Sequence, residues 1–141
     1  MDLTIQLDGI TLNIRVAVII KTDKGYIFEK NPKGYLFMLG GRVKSGESTL
    51  EAARREVQEE IGFKMEETKL TAIIENFFGP AHARVHEICF VYKHEQTVTV
   101  VLTNEFVEVS EEALAVEDIQ PDIMKEIITN ANDTIMHIIV K

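Results

Sequence analysis

The stretch Gly41-Arg42-Val43-Lys44-Ser45-Gly46-Glu47-Ser48-Thr49-Leu50-Glu51-Ala52-Ala53-Arg54-Arg55-Glu56-Val57-Gln58-Glu59-Glu60-Ile61-Gly62-Phe63 decides the reading of this sequence. Its second half predicts a helix over Ser48–Ile61. Ser48 and Glu51 fit a Ser-x-x-Glu capping box. Leu50, Ala53, Val57 and Ile61 recur at helical spacing and form one apolar stripe. Gly62 stands where a left-handed C-terminal cap belongs. Residues three and four apart are neighbours on a helix, so Glu56 lies beside both Glu59 and Glu60. Three carboxylates in one sector repel one another, and a divalent cation would relieve the repulsion, since hard oxygen ligands suit Mg²⁺. Arg54 and Arg55 are expected on the other side with Glu51. From there Arg55 can pair with Glu51 and reach Glu47. It is then either a surface ion pair of little worth or a residue that orients the loop. Gly40-Gly41 lets backbone approach an ion or phosphate closely. Gly46 permits a turn that brings Glu47 back to the helix start.

Outward from this stretch, the 141 residues predict one domain, 1–141. Thr4–Leu7 and Thr11–Ile20 read as strands joined at the Asp8-Gly9 turn. Tyr26–Glu29 and Tyr35–Leu39 are further short strands, the second followed by a glycine-rich loop. Leu70–Phe78 and Val85–Tyr92 are rich in β-branched and aromatic residues. Thr97–Leu102 and Phe106–Val109 add two short strands. Asp122–Thr129 reads as a helix entered through Pro121, and Thr134–Val140 as a strand. The mixture predicts an α/β fold, a central sheet with a few helices packed against it.

The charge balance of 23 acidic against 15 basic side chains gives −8. That disfavours a nucleic-acid polymer as partner, since a backbone binder carries a basic patch. It is compatible with a metal-assisted site for phosphates, where the cation supplies the positive field. Apolar runs such as Val16–Ile20 are too short for a membrane span, which needs roughly 18 residues or more. The N-terminus lacks a basic segment followed by an apolar one. A soluble, cytoplasmic protein is the expectation. The single cysteine, Cys89, sits in an alternating apolar run and reads as a buried core thiol.

Gly41 to Phe63 closely resembles the Nudix box, G-x5-E-x7-R-E-U-x-E-E-x-G-U, where U is a bulky apolar residue. Gly41, Glu47, Arg55, Glu56, Glu59, Glu60 and Gly62 match its fixed positions, and Val57 and Phe63 its apolar ones. Many members carry proline before the paired glycines. Here Leu39 stands there, which bears on loop rigidity more than on chemistry. The resemblance implies a Nudix-like α/β/α sandwich with a mixed sheet, the box forming loop–helix–loop. It implies hydrolysis of a nucleoside diphosphate linked to another group, by attack of water on phosphorus. Glu56, Glu59, Glu60 and the Gly41 backbone carbonyl, or that of Gly40, would then bind Mg²⁺ or Mn²⁺. Glu56 is also a candidate base, and Glu47 and Arg55 would hold the carboxylates in register. The implied partner is a small nucleotide derivative. Dimers are common in that family, so a homodimer is among the expectations.

Members of that family also place the base outside the box. Glu105 is the first candidate for this role, with Glu95 second. Glu87, alternating with Ile88 and Phe90, either faces the open side of the sheet or is simply solvated. For substrate binding, Arg15 offers bidentate contact to phosphate. Phe77 and Phe78 offer aromatic faces for a base. As neighbours on a strand they point to opposite sides, so at most one of them stacks. His82 and His86 are polar candidates, and Phe78 and His86 are carried forward with Arg15. A non-catalytic nucleotide sensor on the same scaffold is the alternative, although such a domain would be expected to have lost a carboxylate from the box. A calcium buffer is disfavoured, because the ordered Asp/Asn ligands of an EF-hand loop are missing.

Overall fold

The computed structural model describes residues 1–141. Its strands are β1 (Thr4–Leu7), β2 (Ile10–Ile19), β3 (Lys21–Thr22), β4 (Gly25–Lys30), β5 (Leu36–Arg42), β6 (Thr68–Phe78), β7 (Arg84–His94), β8 (Phe106–Val109) and β9 (Met136–Val140). Helix α1 (Thr49–Ile61) follows β5, and the short helix α2 (Met124–Thr129) precedes β9. The sheet runs β3-β4-β5-β2-β7-β6-β9, with β1 added to β2 and β8 to β4. It is mixed: β2 lies parallel to β7 and β6 parallel to β9, and the other pairings are antiparallel. No helix is long and apolar enough to cross a membrane.

Strand β2 explains the layering. Val16 to Ile19 are all at most 5% exposed, so this strand is buried on both faces, as a central strand flanked by two layers should be. Val16 and Val18 pack with Ala52, Ala53 and Val57 of α1. Ala17 and Ile19 pack with Met124, Ile127 and Ile128 of α2 on the other face. The result is an α/β/α sandwich. Two consecutive alanines, both fully buried, let α1 lie close on the sheet.

Helix α1 starts and stops where its sequence predicts. The Glu51 amide donates to Ser48 Oγ at 3.1 Å, and the Ser48 amide donates to Glu51 Oε2 at 2.6 Å. Gly62 closes the helix at φ 66°.

Several elements differ from the sequence reading, among them the short strand β3, which it did not contain. Strand β5 continues through Gly40-Gly41-Arg42, which pair with Ala17, Val16 and Arg15; no loop begins at Gly40. A Cβ at Gly40 would stand 2.0 Å from the Val16 carbonyl oxygen, so glycine is what allows the strand to run on. Thr97–Leu102 is not a strand. Only Val98 makes a bridge, to Thr22, and Val101 is 95% exposed. The segment has strand-like residues but no neighbouring edge along its length. Helix α2 begins at Met124 rather than Asp122, because the turn after Pro121 closes through single short-range bonds, Met124 to Pro121 and Lys125 to Asp122. The C-terminal strand starts at Met136 and pairs in parallel with β6 from Ala72 to Asn76.

Candidate active site

Arg55 is the centre of the loop–helix junction. Its Nη2 and Nε donate to the two oxygens of Glu47 at 2.7 and 3.1 Å. Nη2 also donates to the Arg42 carbonyl at 3.0 Å. Its Nη1 donates to Glu56 Oε1 at 2.8 Å and reaches Glu59 Oε2 at 3.4 Å. The expected pairing with Glu51 is absent, because Glu51 is spent on capping Ser48. Arg55 therefore lies among the carboxylates and not on the opposite side of the helix. The guanidinium takes a two-pronged grip on one carboxylate, Glu47. The guanidinium holds the Glu47 carboxyl below its ordinary pKa, and Glu47 in turn raises that of Arg55. Glu47 Oε1 also accepts from the Lys44 amide at 2.8 Å, which closes the loop around Gly46.

The carboxylates of α1 sit in three different settings. Glu59 is the most exposed, with 54% of its side chain accessible. Glu56 packs against Gly41, where a Cβ would stand 2.4 Å from Glu56 Oε1; only glycine leaves room for that carboxylate. Glu60 turns under the sheet edge, where its Oε1 accepts from the Gly40 amide at 3.3 Å. Its Oε2 is buried with no hydrogen-bond partner. Burial first, then the charges of Glu29 and Glu56, push the Glu60 carboxyl up to about 8.

Glu29, on β4, is a member of this group that the sequence reading missed. Burial raises its carboxyl, the charges of Glu105 and Glu56 raise it further, and Arg15 opposes them. The signal was present: β4 reads Tyr26-Ile27-Phe28-Glu29, and a carboxylate closing a buried apolar strand has a reason to be there. Glu105 enters the same region because its carbonyl accepts from the Lys30 amide at 2.8 Å, which seats it at the end of β4. Glu95 lies elsewhere, near Lys69 at the far end of β7.

Three acidic, histidine or cysteine side chains do not converge as a formed metal-ligand set anywhere in the structure. Arg55 occupies an oxygen of Glu56 and of Glu59, and the Gly40 amide occupies one of Glu60. The donors nonetheless suit a hard divalent cation: carboxylate oxygens, one of them buried and unpartnered, beside a glycine that leaves space.

On the other face of the sheet a cavity of about 680 Å³ opens over β5, β2, β7 and β6, beside α2. Arg15 and Phe78 line it, with Phe37, Asn76, Glu87 and Met124. The structure thus joins two of the three expected substrate-binding residues. It separates His86, whose ring stacks on Phe77 at 4.3 Å between centroids with its Nε2 buried and unpartnered. His86 precedes Glu87 on β7, so the alternation of the strand turns it to the opposite face. His82 is exposed in the turn before β7. Glu87 faces the cavity, 3.7 Å from Arg15 Nε. Arg15 lines the cavity, and its charge also counters the rise in the Glu29 carboxyl. Cys89 is buried and its thiol is pushed up to about 12 by that burial, which leaves it inert as a nucleophile.

A family model described as NUDIX domain matches residues 12–133. The chain belongs to the NUDIX family. An 8-oxo-dGTP diphosphatase of Buchnera aphidicola subsp. Schizaphis graminum is 34% identical over 70 residues, 47% of this chain and 54% of that protein. The chain therefore spans about half the length of this relative. The mutator MutT protein from Bacillus halodurans matches with a TM-score of 0.73 at 18% identity, over 89% of this chain and 86% of the other. The MutT NUDIX hydrolase from Burkholderia pseudomallei gives 0.67 at 17%, over 84% and 98%. These structural likenesses establish the NUDIX fold, a mixed sheet between helices.

Proposed function

We propose that this NUDIX protein hydrolyses a pyrophosphate bond in a nucleoside diphosphate linked to a further group, by attack of water on phosphorus with a divalent cation. The observation that carries the reading is the junction at Gly40-Gly41. There Glu56 packs against one glycine and Glu60 accepts from the other while keeping a buried oxygen free. Glu56, Glu59 and Glu60, with the Gly41 carbonyl, would hold Mg²⁺ or Mn²⁺. When bound, the metal polarises the phosphoryl oxygens, lowers the pKa of water and offsets charge on the leaving phosphate.

Arg55 keeps Glu56 aimed, through the loop it ties at Glu47 and Arg42. Glu56 takes the proton of the attacking water, and Glu105, next to Glu29, is the alternative base from outside the box. Arg15 contacts phosphate from the cavity side, and Phe78, 43% exposed at the rim, stacks on the base. The ligand is a small nucleotide derivative, which also fits a chain of charge −8 better than a polymer does.

The test is phosphate or nucleotide release from a panel. It would include ordinary and oxidised nucleoside triphosphates, ADP-ribose, sugar nucleotides, dinucleotide cofactors and diadenosine polyphosphates, each with Mg²⁺, Mn²⁺ or chelator. Metal-dependent release from at least one member is expected. A folded protein that binds nucleotides and releases nothing from any of them would instead support the sensor reading.

A further inference from the structure

The cavity holds a carboxylate for which the hydrolytic chemistry has no use. On the cavity face of the sheet a row of polar residues crosses four strands. Thr4 pairs in register with Asn13, Asn13 with Glu87, and Glu87 with Asn76. Asn13 is 6% exposed, and neither its Oδ1 nor Thr4 Oγ1 has a hydrogen-bond partner. The Glu87 side chain is 14% exposed, and Arg15 Nε stands 3.7 Å from its Oε1, too far for a hydrogen bond. Arg15, with Arg42 further off, offsets the charge without meeting the oxygens. A desolvated carboxylate with unmet acceptor capacity is costly unless a ligand brings the donors.

We propose that Glu87 is a specificity-determining residue that accepts two adjacent N–H donors from one edge of a nucleobase, and so selects guanine-type bases. This rests on the reading above that the cavity receives the nucleoside. The edge of guanine formed by its ring N–H and its amino group presents two parallel donors, which match the two oxygens of a carboxylate as a guanidinium does. Adenine and cytosine set a ring lone pair beside the amino group. Uracil and thymine set a single donor between two carbonyls. Each of these would face a carboxylate oxygen with a lone pair and leave a buried acceptor unpaired, the situation a polar pocket discriminates against most strongly. Asn76, the register partner of Glu87 and also on the cavity wall, carries an amide N–H₂ suited to the carbonyl that flanks the donor pair. Phe78 supplies the aromatic face at the rim.

The test is isothermal titration of the full, metal-free protein with GMP, AMP, CMP and UMP, for wild type, Glu87→Gln and Glu87→Asp. Wild type should favour GMP by roughly tenfold to hundredfold, the worth of one bidentate pair. Glu87→Gln should lose that preference by weakening GMP, with AMP bound as well as by wild type or better through the amide N–H that now meets its ring lone pair, and with Tm unchanged; Glu87→Asp should keep part of the preference. Equal affinity of wild type for the four nucleotides overturns the proposal. So does a Glu87→Gln protein that weakens all four alike, since Glu87 would then act only on Arg15. Failure to bind any mononucleotide overturns it too. Because no bond is broken in this assay, a GMP preference without Mg²⁺-dependent turnover would sink the hydrolase reading alone. Turnover without base preference would sink the role of Glu87 alone.

Discussion

Arg55 donates to both oxygens of Glu47 and, from its third nitrogen, to Glu56, so one guanidinium spans the loop before α1 and the carboxylate that the helix aims. A lysine cannot reproduce this fork, being a single flexible point donor. Arg55→Lys is expected to cut kcat by about 100-fold through misplacement of Glu56, with a smaller loss of thermal stability. Steady-state kinetics and thermal denaturation on the same preparations check this. Unchanged kcat would reduce Arg55 to an ordinary ion pair.

The adjacent glycines make opposite demands. A Cβ at Gly40 meets the Val16 backbone at 2.0 Å, and Gly40 has φ 148°, whereas a Cβ at Gly41 meets only the movable Glu56 carboxylate at 2.4 Å. Gly40→Ala should therefore destabilise the fold, by about 1–3 kcal/mol or more as overpacking does. Gly41→Ala should keep most of the stability and lose metal affinity as Glu56 is displaced. Denaturant unfolding beside Mn²⁺ titration separates the two, and a reversed pattern would contradict the placement of Glu56.

Burial of Glu60 makes stability depend on pH in an unusual direction. Its carboxyl releases a proton near pH 8 when folded and near its ordinary 4.5 when unfolded. Between those values the folded state binds the extra proton, so the stabilisation is full below about pH 4.5 and is lost as pH rises through about 8. Glu29 and Glu87, both raised, act in the same direction. Urea unfolding in chelator at pH 5, 7 and 9 should show falling stability for wild type and a flatter profile for Glu60→Gln. Identical profiles would place Glu60 in water.

Ser48 concerns the helix and not the chemistry. Ser48→Ala removes the acceptor for the Glu51 amide and should cost about 1 kcal/mol, with turnover retained at temperatures where the protein is folded. Lost turnover at full folding would show that the helix start is coupled to the site.

The sequence made α1 legible because capping box, apolar stripe and glycine cap all point to one answer. Arg15 and Phe78 stood out as candidates because polar and aromatic residues are conspicuous in apolar strands, and both line the cavity. The partners of Arg55 were less so: Glu51 satisfies two competing claims by spacing alone, and only the folded cap shows which one wins. Glu29 went unseen because it approaches Glu60 through the sheet, across a sequence separation that periodicity cannot sense. Thr97–Leu102 shows the converse, strand-like residues without an edge to join.

The most direct measurement is nucleotide turnover by wild type and Glu56→Gln, side by side, with Mg²⁺ and with chelator. The account predicts turnover that needs the metal and falls by roughly a thousandfold in the variant at unchanged Tm. Turnover that survives chelation, or a Glu56→Gln protein as active as wild type, would contradict it.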